Sequence, residues 1–172
     1  PGADYLIIEP GGRVTVRPGA EINFTRREPW FFPVSRAGDD GARRELDSAS
    51  AKILVYGSFS AAGTPASPVI FSGASFGGLH ALGEGRIALR DCRLENSAAC
   101  ALTARDGAAA ELERCSFASC RGGTEASGFS SLFLSDCLFS DSGGPALRLL
   151  DSSLSSASGC AVRGCAGPAV EA

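Results

Sequence analysis

Four segments decide how this chain folds: "IALRDCRL" (residues 87–94), "AELERCSF" (110–117), "LFLSDCLF" (132–139) and "SSASGCAV" (155–162). Their cysteines, Cys92, Cys115, Cys137 and Cys160, are spaced 23, 22 and 23 residues apart. Leu89, Leu112, Leu134 and Ala157 stand three residues before them, and Leu94, Phe117, Phe139 and Val162 two residues after. A polar or small residue (Asp91, Arg114, Asp136, Gly159) immediately precedes each cysteine. Self-similarity at a fixed period of this length marks a repeat architecture. Inside each segment the apolar residues alternate, as in Ile87-x-Leu89 and Cys92-x-Leu94, which is the period of a strand.

The pattern extends in both directions. "SAACAL" (97–102), "SGGPAL" (142–147) and "CAGPAV" (165–170) align without gaps, and "CRGGTEA" (120–126) is a degenerate copy about one residue short. "GGLHAL" (77–82) lies one period before "ACALTA" (99–104), Phe71 lies 23 residues before Leu94, and Val69 falls at the cysteine position of an earlier unit. No stretch of the repeat region has helical periodicity. A leucine-rich repeat has a comparable length, but its leucine and asparagine signature is missing. What remains is an all-β solenoid in which each turn contributes about three short strands. Successive turns stack about 4.8 Å apart, so equivalent residues form ladders.

Two further stretches resemble right-handed parallel β-helices of the pectate-lyase-like superfamily, in particular those of bacterial surface and secreted proteins. One is "ILVYGSFSAAGTPASPVIFSG" (53–73), and the other is "LIIEPGGRVTVRPGAEINF" (6–24), with Pro-Gly at its corners. The resemblance implies a single β-helix domain over 1–172, with about six coils of 22–23 residues beginning near 5, 52, 74, 99, 121 and 145. It also implies a site of work at the cell surface, outside the cell or in the periplasm. Residues 25–51, "TRREPWFFPVSRAGDDGARRELDSASA", interrupt the pattern as an insertion between the first and second coils. Within it "DDGARRELDSASA" reads as a turn or two of helix.

Composition narrows the field. The 172 residues are 44% apolar, enough for one domain with a sizeable core, and rich in Ala, Gly and Ser with no Met and one Trp. Small residues at high density suit tight, regular stacking. A net charge of −3 gives no electrostatic reason to expect nucleic acid. No apolar run approaches the roughly 20 residues needed to cross a bilayer. The chain opens at "PGADYLIIEP", close to a strand, and stops at "GPAVEA", so both ends read as cut from a longer pattern.

Seven cysteines leave one unpaired in any disulfide scheme. In-register side chains on parallel strands point the same way, which puts their Cβ atoms at the long edge of disulfide geometry. A straight column of thiols does not converge on a tetrahedral zinc ion. A ladder of free, buried cysteines (Cys92, Cys115, Cys137, Cys160) is therefore the favoured reading, with one or more disulfides as the alternative. Cys100, Cys120 and Cys165 fall at or near turns and are expected to be more exposed. No metal or cofactor is expected.

"FSDSGGPAL" (139–147) contains the Asp-Ser-Gly-Gly-Pro sequence that surrounds the nucleophile of trypsin-like proteases. A serine nucleophile needs a base and an oxyanion hole. The only histidine, His80, lacks that family's surrounding motif, and Ser142 aligns with Ser97 and Cys165 as one copy of a repeated corner. A carbohydrate-active enzyme is the stronger rival. If Leu79, Leu102, Leu147 and Val170 point inward, then His80, Thr103, Arg148 and Glu171 point outward, joined by Glu125 or Ala126 in the degenerate coil. That row is polar but has no carboxylates on consecutive coils. Asp91 and Asp136 stand two coils apart with Arg114 between them, as expected of a turn ladder of alternating charge.

The favoured reading is a non-catalytic scaffold, or an adhesion or binding module, with a self-stacking variant through the solenoid ends. The alternative is a carbohydrate-active enzyme or polysaccharide-binding module. Candidate binding residues are the aromatics Trp30, Phe31 and Phe32 of the insertion, together with His80 and Arg148. Long loops on rigid scaffolds often carry binding, and aromatics stack on sugars or anchor partners. The partners expected are a protein, a second copy of the chain or a polysaccharide.

Overall fold

A computed structural model describes residues 5–24, 51–74, 76–151 and 153–172. The predicted insertion lies outside these residues except for Ala51, and so do Trp30, Phe31 and Phe32.

Each coil supplies three short strands. The first coil holds β1 (Tyr5–Ile8), β2 (Arg13–Val16) and β3 (Glu21–Asn23), and the second β4 (Ala51–Val55), β5 (Ser58–Ala62) and β6 (Val69–Ser72). The third holds β7 (Phe76–Leu82), β8 (Arg86–Arg90) and β9 (Cys92–Glu95), and the fourth β10 (Cys100–Arg105), β11 (Ala109–Glu113) and β12 (Ser116–Ala118). The fifth holds β13 (Gly122–Ala126), β14 (Ser131–Ser135) and β15 (Leu138–Ser140). The sixth holds β16 (Leu147–Leu149), β17 (Leu154–Ser158) and β18 (Ala161–Arg163), after which β19 (Val170–Glu171) starts another turn. Among the described residues there is no helix.

Every third strand pairs in parallel with its counterpart in the next coil. Three sheets result: seven-stranded sheet A (β1-β4-β7-β10-β13-β16-β19), six-stranded sheet B (β2-β5-β8-β11-β14-β17) and six-stranded sheet C (β3-β6-β9-β12-β15-β18). The registers are those of the repeat: Leu79 beside Leu102, Phe71 beside Leu94, and Val69 beside Cys92. The coil count agrees with the spacing of the repeats.

The corners explain the residue before each ladder cysteine. Asp91, Arg114, Asp136 and Gly159 all have positive φ, between 49° and 63°. Asn96, Ser119, Asp141 and Gly164 form a second column of the same kind. Short polar residues and glycine tolerate this left-handed conformation best. At Gly159 space matters as well, because a Cβ would sit 2.1 Å from Asp136 Oδ1 of the coil below. Once the chain has turned, each cysteine thiol donates to the carbonyl two residues back: Cys92 to Arg90, Cys115 to Glu113, Cys137 to Ser135 and Cys160 to Ser158.

The buried core runs from Ile8 to Leu147, while β17, β18 and β19 of the last turns are exposed or half-buried. The core is built from ladders of Leu, Ala and Cys and from stacked phenylalanines, such as Phe117 over Phe139 with centroids 4.7 Å apart and rings 8° from parallel. Such a pair adds roughly 0.5–1.5 kcal/mol beyond its burial. The degenerate coil has its reason here. Gly123 passes so close to its neighbours that a Cβ would lie 2.2 Å from the Ala146 carbonyl and 2.8 Å from the Phe139 ring.

Candidate functional site

Two lateral surfaces gather chemistry-bearing side chains. Strand alternation generates both, because residues two apart share a face and in-register residues share a row.

The first is the outward row of sheet A. Leu54, His80, Thr103, Glu125, Arg148 and Glu171 follow one another on successive coils. The degenerate coil thus places Glu125, and not Ala126, in the row. His80 is only 5% exposed; its Nδ1 lies 2.8 Å from Thr103 Oγ1 and its Nε2 3.0 Å from the Gly77 carbonyl. Glu125 is also buried and accepts from Arg105 Nη2 at 2.7 Å, while Arg148 Nη1 stands 3.7 Å from its other oxygen. Arg148 Nε donates to Glu171 at 2.9 Å, and that bond, more than any other contact, raises the affinity of Arg148 for its proton. His80 and Arg148 therefore share a row but do not meet: Thr103 and Glu125 lie between them, and three rungs make about 14 Å. These polar groups are hydrogen-bonded or ion-paired along the row, as buried polar groups generally are.

The second surface is the outward face of sheet B. Ser60, Ala88, Glu111, Phe133 and Ser156 form one row across five coils, and Ala62, Arg90, Glu113, Ser135 and Ser158 the next. Together they line a shallow groove of about 580 Å³. Phe133 is 41% exposed within it, directly beside Glu111. Much of its lining is Ser and Ala, which keeps it shallow, so Phe133, Arg90 and the carboxylates of Glu111 and Glu113 are its main features. Neither Phe133 nor Glu111 stands out in the repeat alignment. The signal was present all the same: in "SLFLS" (131–135) Phe133 occupies the out-facing position between Leu132 and Leu134, where other coils carry Thr, Ser, Ala or Glu.

The corner charges form a local pair. Arg114 grips Asp91 through two bonds of 2.9 Å and also bonds the neighbouring Glu113. The Arg114 guanidinium holds the Asp91 carboxyl below its ordinary range despite burial. Asp136 takes no part and accepts from Ser135 Oγ at 3.2 Å.

All seven cysteines are free. Cys92, Cys115 and Cys137 are buried and Cys160 half-buried. The Cys115 thiol lies against those of Cys137 and Cys92, which together with burial drive its pKa upward, whereas Cys137 is drawn down to about 7 by its bond to Cys115. Cys100 and Cys165 are half-buried, but Cys120 is fully buried at 2% exposure, which corrects the expectation of an exposed turn cysteine. The reason is a second inward corner column. Ser97, Cys120 and Ser142 turn their side chains under the solenoid, and Cys120, Ser142 and Cys165 each donate to the carbonyl two residues back. Ser142, 1% exposed and bonded to the Ser140 carbonyl, is a corner residue and not a nucleophile. Among the described residues no group of three or more His, Cys, Asp or Glu converges as a metal site, and no helix is long and apolar enough to cross a membrane.

Comparison with known proteins agrees with this geometry. The family model for the right-handed beta helix region matches residues 52–172, and the chain belongs to that family. Neither a curated protein nor a solved structure matches the chain.

Proposed function

We propose that this chain is a non-catalytic binding module of a surface or secreted protein, a rigid β-helix that presents the outward face of sheet B to an extended polymer ligand. The observation that supports this reading is the groove with Phe133 exposed in it, flanked along the solenoid axis by Glu111 on one side and Ser156 on the other. Five rungs give a track of about 19 Å, long enough for a chain-like ligand lying along the axis. An exposed aromatic ring beside a carboxylate suits a sugar, with the apolar ring face on Phe133 and hydroxyls on Glu111. The held partners of the sheet A row favour a structural part for that row.

A second reading, a carbohydrate-active enzyme, draws support from Glu111 and Glu113, two carboxylates on one face of β11 and both in the groove. Paired carboxylates are the machinery of glycoside hydrolysis. A panel of neutral and acidic polysaccharides separates the readings. Binding without release of new chain ends, weakened about tenfold or more by Phe133→Ala with the melting temperature unchanged, is the expected result. Release of new chain ends, abolished by Glu111→Gln, would replace the module with an enzyme. Retention of full binding in Phe133→Ala would remove the groove from the function.

A further inference from the structure

Among the described residues, the thiol column is the one cluster of reactive side chains that neither lateral surface explains. Cys92, Cys115, Cys137 and Cys160 stand on four consecutive coils at the same corner, each one residue before the in-register positions Arg93, Ser116, Leu138 and Ala161, so the four cysteines form one column with one thiol per rung. Val69 occupies the rung beyond Cys92 and closes that end with hydrocarbon, while the other end, at Cys160, is half-buried. The backbone fixes the spacing of the sulfurs, because parallel rungs repeat every 4.8 Å or so. Two metal–thiolate bonds of about 2.3 Å laid end to end span about 4.6 Å. A single column gives an ion two sulfurs in a line and nothing at the tetrahedral positions, so zinc is poorly served. Soft cations with a filled d shell prefer thiolate and accept two ligands in a line.

We propose that this column is a linear two-coordinate site for a soft monovalent cation, Cu(I) or Ag(I), held between adjacent rungs and filled first between Cys137 and Cys160. Binding breaks two S–H bonds and forms two S–metal bonds. Two protons leave to solvent, nothing is oxidised or reduced, and the bridged unit carries one negative charge. That charge favours the Cys137–Cys160 pair, because the half-buried side keeps it nearest to water. Cys92 and Cys115 form the inner pair, so the four thiols hold at most two ions.

The test is an anaerobic titration of the reduced full chain with Ag(I) or Cu(I) against a competing chelator, with X-ray absorption at the metal edge. Two sulfurs per metal are expected. The first ion should bind about tenfold or more weakly in Cys137→Ser/Cys160→Ser and unchanged in Cys100→Ser/Cys165→Ser. Serine already stands in the neighbouring corner column at Ser97 and Ser142, so the exchange suits the fold. If the double variant does not fold, Cys160→Ser alone, at the half-buried rung, is read the same way. Three or four sulfurs per metal would overturn the proposal. So would equal losses from both pairs of substitutions, no loss from either, or Zn(II) bound as tightly as Ag(I).

Discussion

Sheets A and B are two walls of one solenoid, built from the same repeat with the same alternation, yet they treat their outward residues differently. On β8, β11 and β14 the outward positions are exposed or half-buried and the inward ones buried. On β7 and β13 nearly every position is buried, whichever way it points. Outward polar residues on sheet A, such as His80, Thr103 and Glu125, consequently carry fixed hydrogen bonds and ion pairs. Their counterparts Ala88, Glu111 and Phe133 on sheet B line an open groove. An ionisable group in a β-helix therefore cannot be read as functional from its outward direction alone. Where the outer face is buried the polar group is part of the structure, and where it is open the same position is available to a ligand.

The most severe way to break this comparison is to remove what both walls rest on. Phe117→Ala deletes a fully buried ring stacked on Phe139, and a loss of about 3–5 kcal/mol in urea denaturation is expected. Both walls should then melt together; a loss below about 1 kcal/mol would mean that the core closes around the gap.

A sharper comparison sets one outward residue of each wall against the other. Thr103→Val removes the buried hydrogen bond between Thr103 Oγ1 and His80 Nδ1 and should destabilise by about 1–3 kcal/mol. Glu111→Ala on sheet B should stay within about 0.5 kcal/mol. Equal effects would show that the two walls do not differ energetically.

The smallest effect is expected at the corner leading into β13. Burial pushes the Cys120 thiol up from its ordinary value. As pH rises through the ordinary thiol range near about 8.5, the unfolded chain gives up a proton that folded Cys120 retains. The folded state then binds more protons, so stability falls with rising pH over that window. Cys120→Ser removes this contribution, and the decline between about pH 8 and 10 should be shallower in the variant by urea titration. Parallel declines in the two proteins would place the slope on the other thiols.

The ladder was legible because its residues are small and apolar. Each coil repeats the same steric demand, so Leu79 and Leu102, or Val69 and Cys92, can be paired by counting. The polar residue before each ladder cysteine was visible too, but its reason, a left-handed corner, appears only with the backbone angles. Cys120 was misplaced because the alignment put it at a turn, and a turn position does not by itself say whether the side chain points beneath the coil or away from it. Phe133 was overlooked because an odd residue in a repeat is conspicuous only once the face it points to is known.

By itself, then, the sequence determined the parallel β-helix, its coil period, the register of its sheets outside the degenerate coil, and the column of cysteines. All of these follow from a two-residue alternation and a 22–23-residue repeat that the backbone ladder must respect. Only the tertiary structure decided which outward face is buried, that His80 and Glu125 are held by partners, and that Phe133 and Glu111 share a groove. The physical reason is that register is a local, periodic property of hydrogen-bonded strands, whereas burial and cleft shape depend on what the whole chain brings against each face.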